Sequence, residues 1–343
     1  IRRKYAASRP LAGVRVTGPG LVTNGGDITV TGTSAGGVGV QLGDGTAFAI
    51  GSGGGAITID GTGIAAGVLM QGNQVASGGG AVSITGSGGD LGVSLDGSDI
   101  DSAGGDIDIE GTATAASGAG VSLYDVQLTG GAGDVIVRGT AAGGIGIEFG
   151  YGSTISTTTG AIGLYGTGAD FGLDIADGAL DTDSGDITLD GTATAATAIA
   201  GVRVTGPGLV TNGGDITVTG SSAGGVGVQL GDGGAFAIGS GGGAITIDGT
   251  GIDAGVLMDG NQVASGGGAV SITGSGADVG VSLDGSDIDS NGGDIDIDGT
   301  ASVVGGVGID LAGARLLAGT GQVNIFGNAA TGTGVRFDSA SAI

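Results

Sequence analysis

The sequence predicts an all-β fold, a right-handed parallel β-helix (β-solenoid) of about 12–13 coils of 25–29 residues, with three short strands in each coil. Three observations carry this expectation. A glycine pair followed by an alternating apolar ribbon, as in GGDIDIEG at 104–111, returns every 25 to 29 residues. Within each ribbon apolar and polar residues alternate at period two, the spacing of a strand and not of a helix. Glycine supplies 88 of the 343 residues, too many for an ordinary packed globule, yet 39% of the chain is hydrophobic.

The alternatives are excluded in turn. Collagen needs glycine at every third position and abundant proline, and the chain has 3 prolines. A disordered linker would lack apolar residues set in alternation.

The ribbons open at Asp27, Ala56, Ala81, Asp106, Asp134, Ala161, Asp186, Asp215, Ala244, Ala269, Asp294 and Gln322. Residues 13–113 recur at 201–301 with an offset of 188, differing at eight of 101 positions, among them Ala103/Asn291 and Glu110/Asp298. Seven ribbons therefore make one long unit. The chain divides into a basic N-terminal arm at 1–12, a first seven-coil repeat at 13–200, and a second, incomplete copy at 201–343 that continues the same solenoid.

Each coil is expected to hold three strands. In the first full coil they are DITVTG from Asp27, GVGVQL at 37–42 and AFAI at 47–50. Ile28 and Val30 point inward and Thr29 and Thr31 outward. Glycines are expected at the corners, where positive φ and close backbone approach favour them. Stacking would place Ile28, Ile57, Val82, Ile107, Val135, Ile162 and Ile187 in one inward ladder. Val30, Ile59, Ile84, Ile109, Val137, Leu164 and Leu189 would form another beside it, with rungs about 4.8 Å apart. Right-handed winding follows from the general rule for parallel crossovers.

The energetics explain the repetition. Burying an Ile or Val yields about 1.5–3 kcal/mol, while ordering each residue costs about 1–2 kcal/mol, so one coil cannot stand alone. Only stacking pairs its strands and covers its apolar ends.

Composition excludes whole classes of chemistry. With no cysteine and no histidine there is no disulfide framework, thiolate site or histidine-based triad. The formal charge is −25, and four of the nine basic residues, Arg2, Arg3, Lys4 and Arg9, lie in the first ten positions. Such a surface repels nucleic acid and anionic lipid, so neither is expected as a partner. No apolar run reaches the roughly 18 residues of a membrane span. Neither end shows a capping helix, and the last coil is expected to stop before its third corner. The coil faces should then continue in a longer array or stack end to end, with the basic arm either docking on an acidic neighbour or being a flexible, processed terminus.

Acidic side chains are the first candidates for chemistry. Asp96, Asp99, Asp101, Asp106, Asp108 and Glu110 lie within fifteen residues, matched by Asp284, Asp287, Asp289, Asp294, Asp296 and Asp298 in the second copy. Outward carboxylates about 7 Å apart on one strand, such as Asp108 and Glu110, would suit a hydrated calcium ion or an acid/base pair. A solvated strand face that discourages aggregation is the simpler account of them. Calcium is thus the one cofactor to consider, although the nine-residue calcium-roll signature is absent. The ribbon-opening Asp residues suit a local role, accepting hydrogen bonds from turn amides. An ice-binding threonine ladder fails, because the outward pairs run Thr29/Thr31, Thr58/Asp60, Ser83/Thr85, Asp108/Glu110 and Ile136/Arg138. Tyr151 and Tyr165 would give a modest aromatic platform for sugar, with core or corner packing the simpler expectation.

The serial ribbons SGDITLDGTATAA (184–196), GGDITVTG (213–220) and GGAVSITGSG (267–276) resemble the giant secreted bacterial exoproteins of the filamentous haemagglutinin type and related β-strand-repeat surface proteins. The resemblance is architectural and spans roughly residues 12–338. Those relatives often have coils of about 19 residues and an N-terminal secretion domain, and this sequence shows neither. The likeness implies a rod that projects from a cell or builds an extracellular fibre, with no catalytic residues to carry over. The expected function is therefore an extracellular structural rod, filament subunit or adhesin stalk, meeting copies of itself or a host or matrix surface. The alternatives are a calcium- or carbohydrate-binding module and a polysaccharide-active enzyme. The enzyme is disfavoured because no coil exceeds 29 residues, leaving no long loops to build a cleft.

Overall fold

The computed structural model describes residues 12–18, 20–45, 48–232, 236–338 and 340–343. Among these there is no helix, and every strand pairing between coils is parallel. The chain winds as the right-handed β-solenoid that the sequence predicts, of about 12 coils. The basic arm Arg2, Arg3, Lys4 and Arg9 lies outside the described residues.

Each full coil runs through three parallel ladders. In the first full coil these are Ile28–Ser34, Val38–Leu42 and Phe48–Gly51, here called the first, second and third ladders. The coil from Ile295 crosses the first two as one strand, Ile295–Ala312. On the first, Ile28 pairs with Ile57, and the series continues through Val82, Ile107, Val135, Ile162, Ile187, Ile216, Ile245, Val270 and Ile295 to Val323. This is the predicted inward ladder, rung for rung. Its residues between Ile57 and Ile295 are at most 1% exposed, because a coil on either side covers them. On the third ladder Ile50, Val75, Ile100, Leu128, Ile155 and Leu180 form the corresponding column. The boundary between the two long repeats falls inside the strand Ala200–Val204, so the sequence repeat crosses no structural seam.

One expectation about glycine is corrected. The glycine that ends each ribbon is not at a corner. Gly32, Gly61, Gly86 and Gly111 lie inside seven-residue strands and pair with one another in register. Opposite them runs a second glycine column through Gly39, Gly67, Gly92 and Gly120 of the second ladder. A β-carbon on Gly111 would lie 2.0 Å from the carbonyl oxygen of Gly120, so the two ladders pinch together where no side chain fits.

The corners are stitched by polar side chains. Between the third and first ladders, buried Ser52 donates to the carbonyl oxygens of Gly55, at 2.5 Å, and of Ser77 in the next coil, at 2.9 Å. Thr211 does the same with Gly214 and Ser240, at 2.7 and 2.9 Å. The ribbon-opening aspartates accept amide hydrogen bonds as expected, but from the following coil. Asp27 takes the N–H of Ala56 at 2.8 Å, Asp134 that of Ala161 at 2.8 Å and Asp215 that of Ala244 at 2.7 Å. At the far end the chain turns its second corner, from the second ladder to the third, and as expected reaches no third corner. Beyond Phe337 it bends through Asp338, and Ala342 bridges to Arg315 of the third ladder.

Candidate functional site

Strand alternation sends every second side chain outward, and stacking lines these up in columns along the rod. Such columns decide what any surface site contains. On the first ladder they run through Thr29, Thr31 and Thr33.

The acidic candidates do not form one cluster. Asp96 and Asp284 stand on the second ladder, Asp99, Asp101, Asp287 and Asp289 on the third, and Asp108, Glu110, Asp296 and Asp298 on the first. A coil turns two corners between Asp96 and Asp108, so neighbours in sequence face different directions. Several already have partners. Asp108 pairs with Arg138 at 2.8 Å, Asp287 with Arg315 at 3.3 Å, and Asp296 accepts from Asn324 at 2.8 Å. Asp101 and Asp289 each accept the amide two residues on, from Ala103 at 2.8 Å and Asn291 at 2.9 Å. Among the described residues no three acidic side chains converge as a metal site would require.

The column through Thr31 breaks, as the sequence showed, but the next column does not. Thr33, Thr62, Ser87, Thr112, Thr140, Thr167, Thr192, Ser221, Thr250, Ser275 and Thr300 follow one another in register before Asn328 interrupts them. This hydroxyl row lies just past the glycine that ends each ribbon, outside the outward pairs read from the sequence.

Aromatic residues concentrate in the middle of the rod. Among the described residues the exposed aromatics are Tyr151 and Tyr165, together with Phe326 and Phe337 on the last coil. Phe48, Phe149 and Phe236 are core residues. At the bend just past the second ladder Tyr151 stacks on Tyr124 with ring centroids 5.6 Å apart, and Tyr124 donates to Glu148 at 2.8 Å. Burial and that hydrogen bond push the Tyr124 phenol well above its ordinary range. One coil on, Arg203 grips Asp174 through two bonds of 2.8 and 2.7 Å and lies 4.2 Å over the Phe171 ring.

On the first ladder Glu110, Arg138, Tyr165 and Asp190 occupy successive rungs of the column through Thr31. With the hydroxyls of Thr140, Thr167 and Thr192 they line an open groove of about 270 Å³. The Arg138 guanidinium stands 5.7 Å from the centroid of the Tyr165 ring. This is the one place on the described surface where an exposed ring, a cation, two carboxylates and a hydroxyl row meet in a groove. Tyr165, named from sequence, lines this groove; Arg138 and Asp190 could not be read as its neighbours from sequence, because only the coil register brings them beside it. No protein-family model, curated protein or solved structure matches the chain.

Proposed function

We propose that the protein is an extracellular structural rod, a filament subunit or adhesin stalk whose work is to span distance and resist unfolding. The carrying observation is the unbroken register of the first ladder from Ile28 to Val323, in which each coil is held to the next by strand pairing and an apolar rung. The inter-coil bonds at the corners add to it, since a pull along the axis must break several bonds per coil together. The resemblance to filamentous-haemagglutinin-type exoproteins supports the same reading.

The end coils fit assembly through coil faces. Val323, Ile325 and Val335 of the last coil are half-buried, as are Val14, Val16 and Leu21 of the first. A further coil, from a continuation of this chain or from another copy, would cover them and pair the open strand edges.

The experiment is immunogold electron microscopy of intact cells that make the protein, followed by electron cryo-microscopy of the purified material. Label along surface fibres, with an axial spacing of about 4.8 Å in the purified rods, supports the proposal. Label confined to the cell interior overturns it.

A further inference from the structure

The groove around Tyr165 departs from the rest of its face in two adjacent columns at once. The column through Thr29 carries a side chain on every rung except one, and that rung is Gly163. A β-carbon there would lie 2.8 Å from Tyr165 Cε2, 3.1 Å from its hydroxyl oxygen and 2.9 Å from Ile136 Cδ1. The Tyr165 ring therefore leans back along its own strand, with its Cε2 and hydroxyl edge in the space that a side chain at Gly163 would fill. Arg138, bonded to Asp108 at 2.8 Å, occupies the rung on one flank, and Asp190 occupies the rung on the other. Phe326, the other aromatic residue of this column, has Asn324 in place of the glycine and gains no such space.

We propose that this groove binds a neutral carbohydrate chain, with one sugar ring stacked on the exposed face of Tyr165. A ring already held against its own strand loses little freedom on binding, which favours affinity at a shallow site. The C–H face of a sugar is apolar and suits the aromatic face, while its hydroxyls meet both kinds of partner at the rim. Asp190 and Glu110 accept from sugar hydroxyls, and Arg138 donates to them. The ligand is neutral because Asp108, Glu110 and Asp190 surround a single arginine and repel anionic glycans. This is a function beyond that of a rod, and it stands whether or not the rod proposal does.

The test is affinity electrophoresis of the full chain through gels carrying a neutral β-glucan, α-mannan, galactomannan or soluble chitin fragment, at low and high salt. The expected result is retardation in at least one gel, unchanged by salt. Tyr165→Ala should weaken it by about tenfold or more, a loss of about 1.4 kcal/mol. Gly163→Thr should do the same while leaving the tyrosine in place, since threonine is what the next rung, Thr188, already carries. Tyr151→Ala should bind as the unaltered chain does, and the melting temperatures of all three variants should match. Migration unaffected by every polysaccharide overturns the proposal, as does equal retardation of both groove variants. Retardation that high salt abolishes also overturns it, since stacking of a neutral sugar on an aromatic ring is not screened by salt.

Discussion

Gly61 and Gly67 meet across the narrowest part of the coil, where a β-carbon on Gly61 would stand 2.1 Å from the carbonyl oxygen of Gly67. Neither φ is positive, so the requirement is for space and not for an unusual backbone. Backbone cannot retreat here, because each ladder is tied to coils on both sides.

Gly61→Ala should therefore cost about 3 kcal/mol or more, through overpacking that the neighbouring strands cannot relieve. Gly26→Ala is the matched contrast. Its φ is ordinary and the nearest atoms its β-carbon would meet, on Thr23, are 3.8 Å away. It should raise stability by about 0.4–1 kcal/mol by restricting the unfolded chain. Denaturant midpoints of the two variants, moving in opposite directions, would check both.

Backbone conformation, not space, governs a second set of positions. Ala103 has φ 54°, at the corner where Gly78 and Gly266 have φ 70° and 69°. In the second copy this position is Asn291, with φ 49°, a residue that tolerates the left-handed region better than alanine does. Ala103→Gly should stabilise the chain by about 0.5–1 kcal/mol, and Asn291→Gly by less. Thermal unfolding of the two single variants should show that order.

The inward ladders were legible because period-two alternation names the buried residue of each strand whatever path the coil takes. Ile107 and Ile109 needed no knowledge of their neighbours. The pinch between Gly61 and Gly67 was not legible, since Gly61 reads as one more ribbon-ending glycine until the second ladder is laid against it. Proximity in sequence misled for the acids: Asp96, Asp99 and Asp108 lie close along the coil and face three ways. The groove was half legible. Tyr165 stood out as an aromatic residue on an outward position, but its neighbours Arg138 and Asp190 come from register, which only stacking fixes.

Two ion pairs separate burial from mere contact. Asp174 and Arg203 keep 11% and 30% of their side-chain exposure, against 54% and 48% for Asp108 and Arg138. Arg203→Leu leaves the Asp174 carboxylate largely covered with no partner and should cost about 2–4 kcal/mol. Adding Asp174→Leu should restore most of that, because leucine already occupies this column at Leu69 and Leu257. Asp108→Ala should cost under about 1 kcal/mol. A double-mutant cycle by chemical denaturation would measure all three effects.

Acid should release the last residues before it touches the coils. Asp338 Oδ1 accepts the N–H of Gly313 at 3.0 Å, and also the amides of Ala340 and Ser341 and the Ser341 hydroxyl, at 3.0, 3.1 and 2.9 Å. The Gly313 bond first, then the Ser341 hydroxyl and the other amides, hold its carboxyl below the usual carboxylate range. A group with a depressed folded pKa stabilises the folded form above its unfolded value, near 3.9, and that contribution disappears as pH falls through the folded one. The corner that brings Ala342 against Arg315 should therefore be intact at neutral pH and weaken progressively as pH falls below about 4, while coils paired only through backbone persist. Hydrogen exchange resolved by residue should show protection at Leu316, whose N–H bonds the Ala342 carbonyl at 2.9 Å, falling in acid. In Asp338→Asn that protection should be low at neutral pH already and no longer depend on pH; protection that stays high in acid would show the corner is held by something other than this carboxylate.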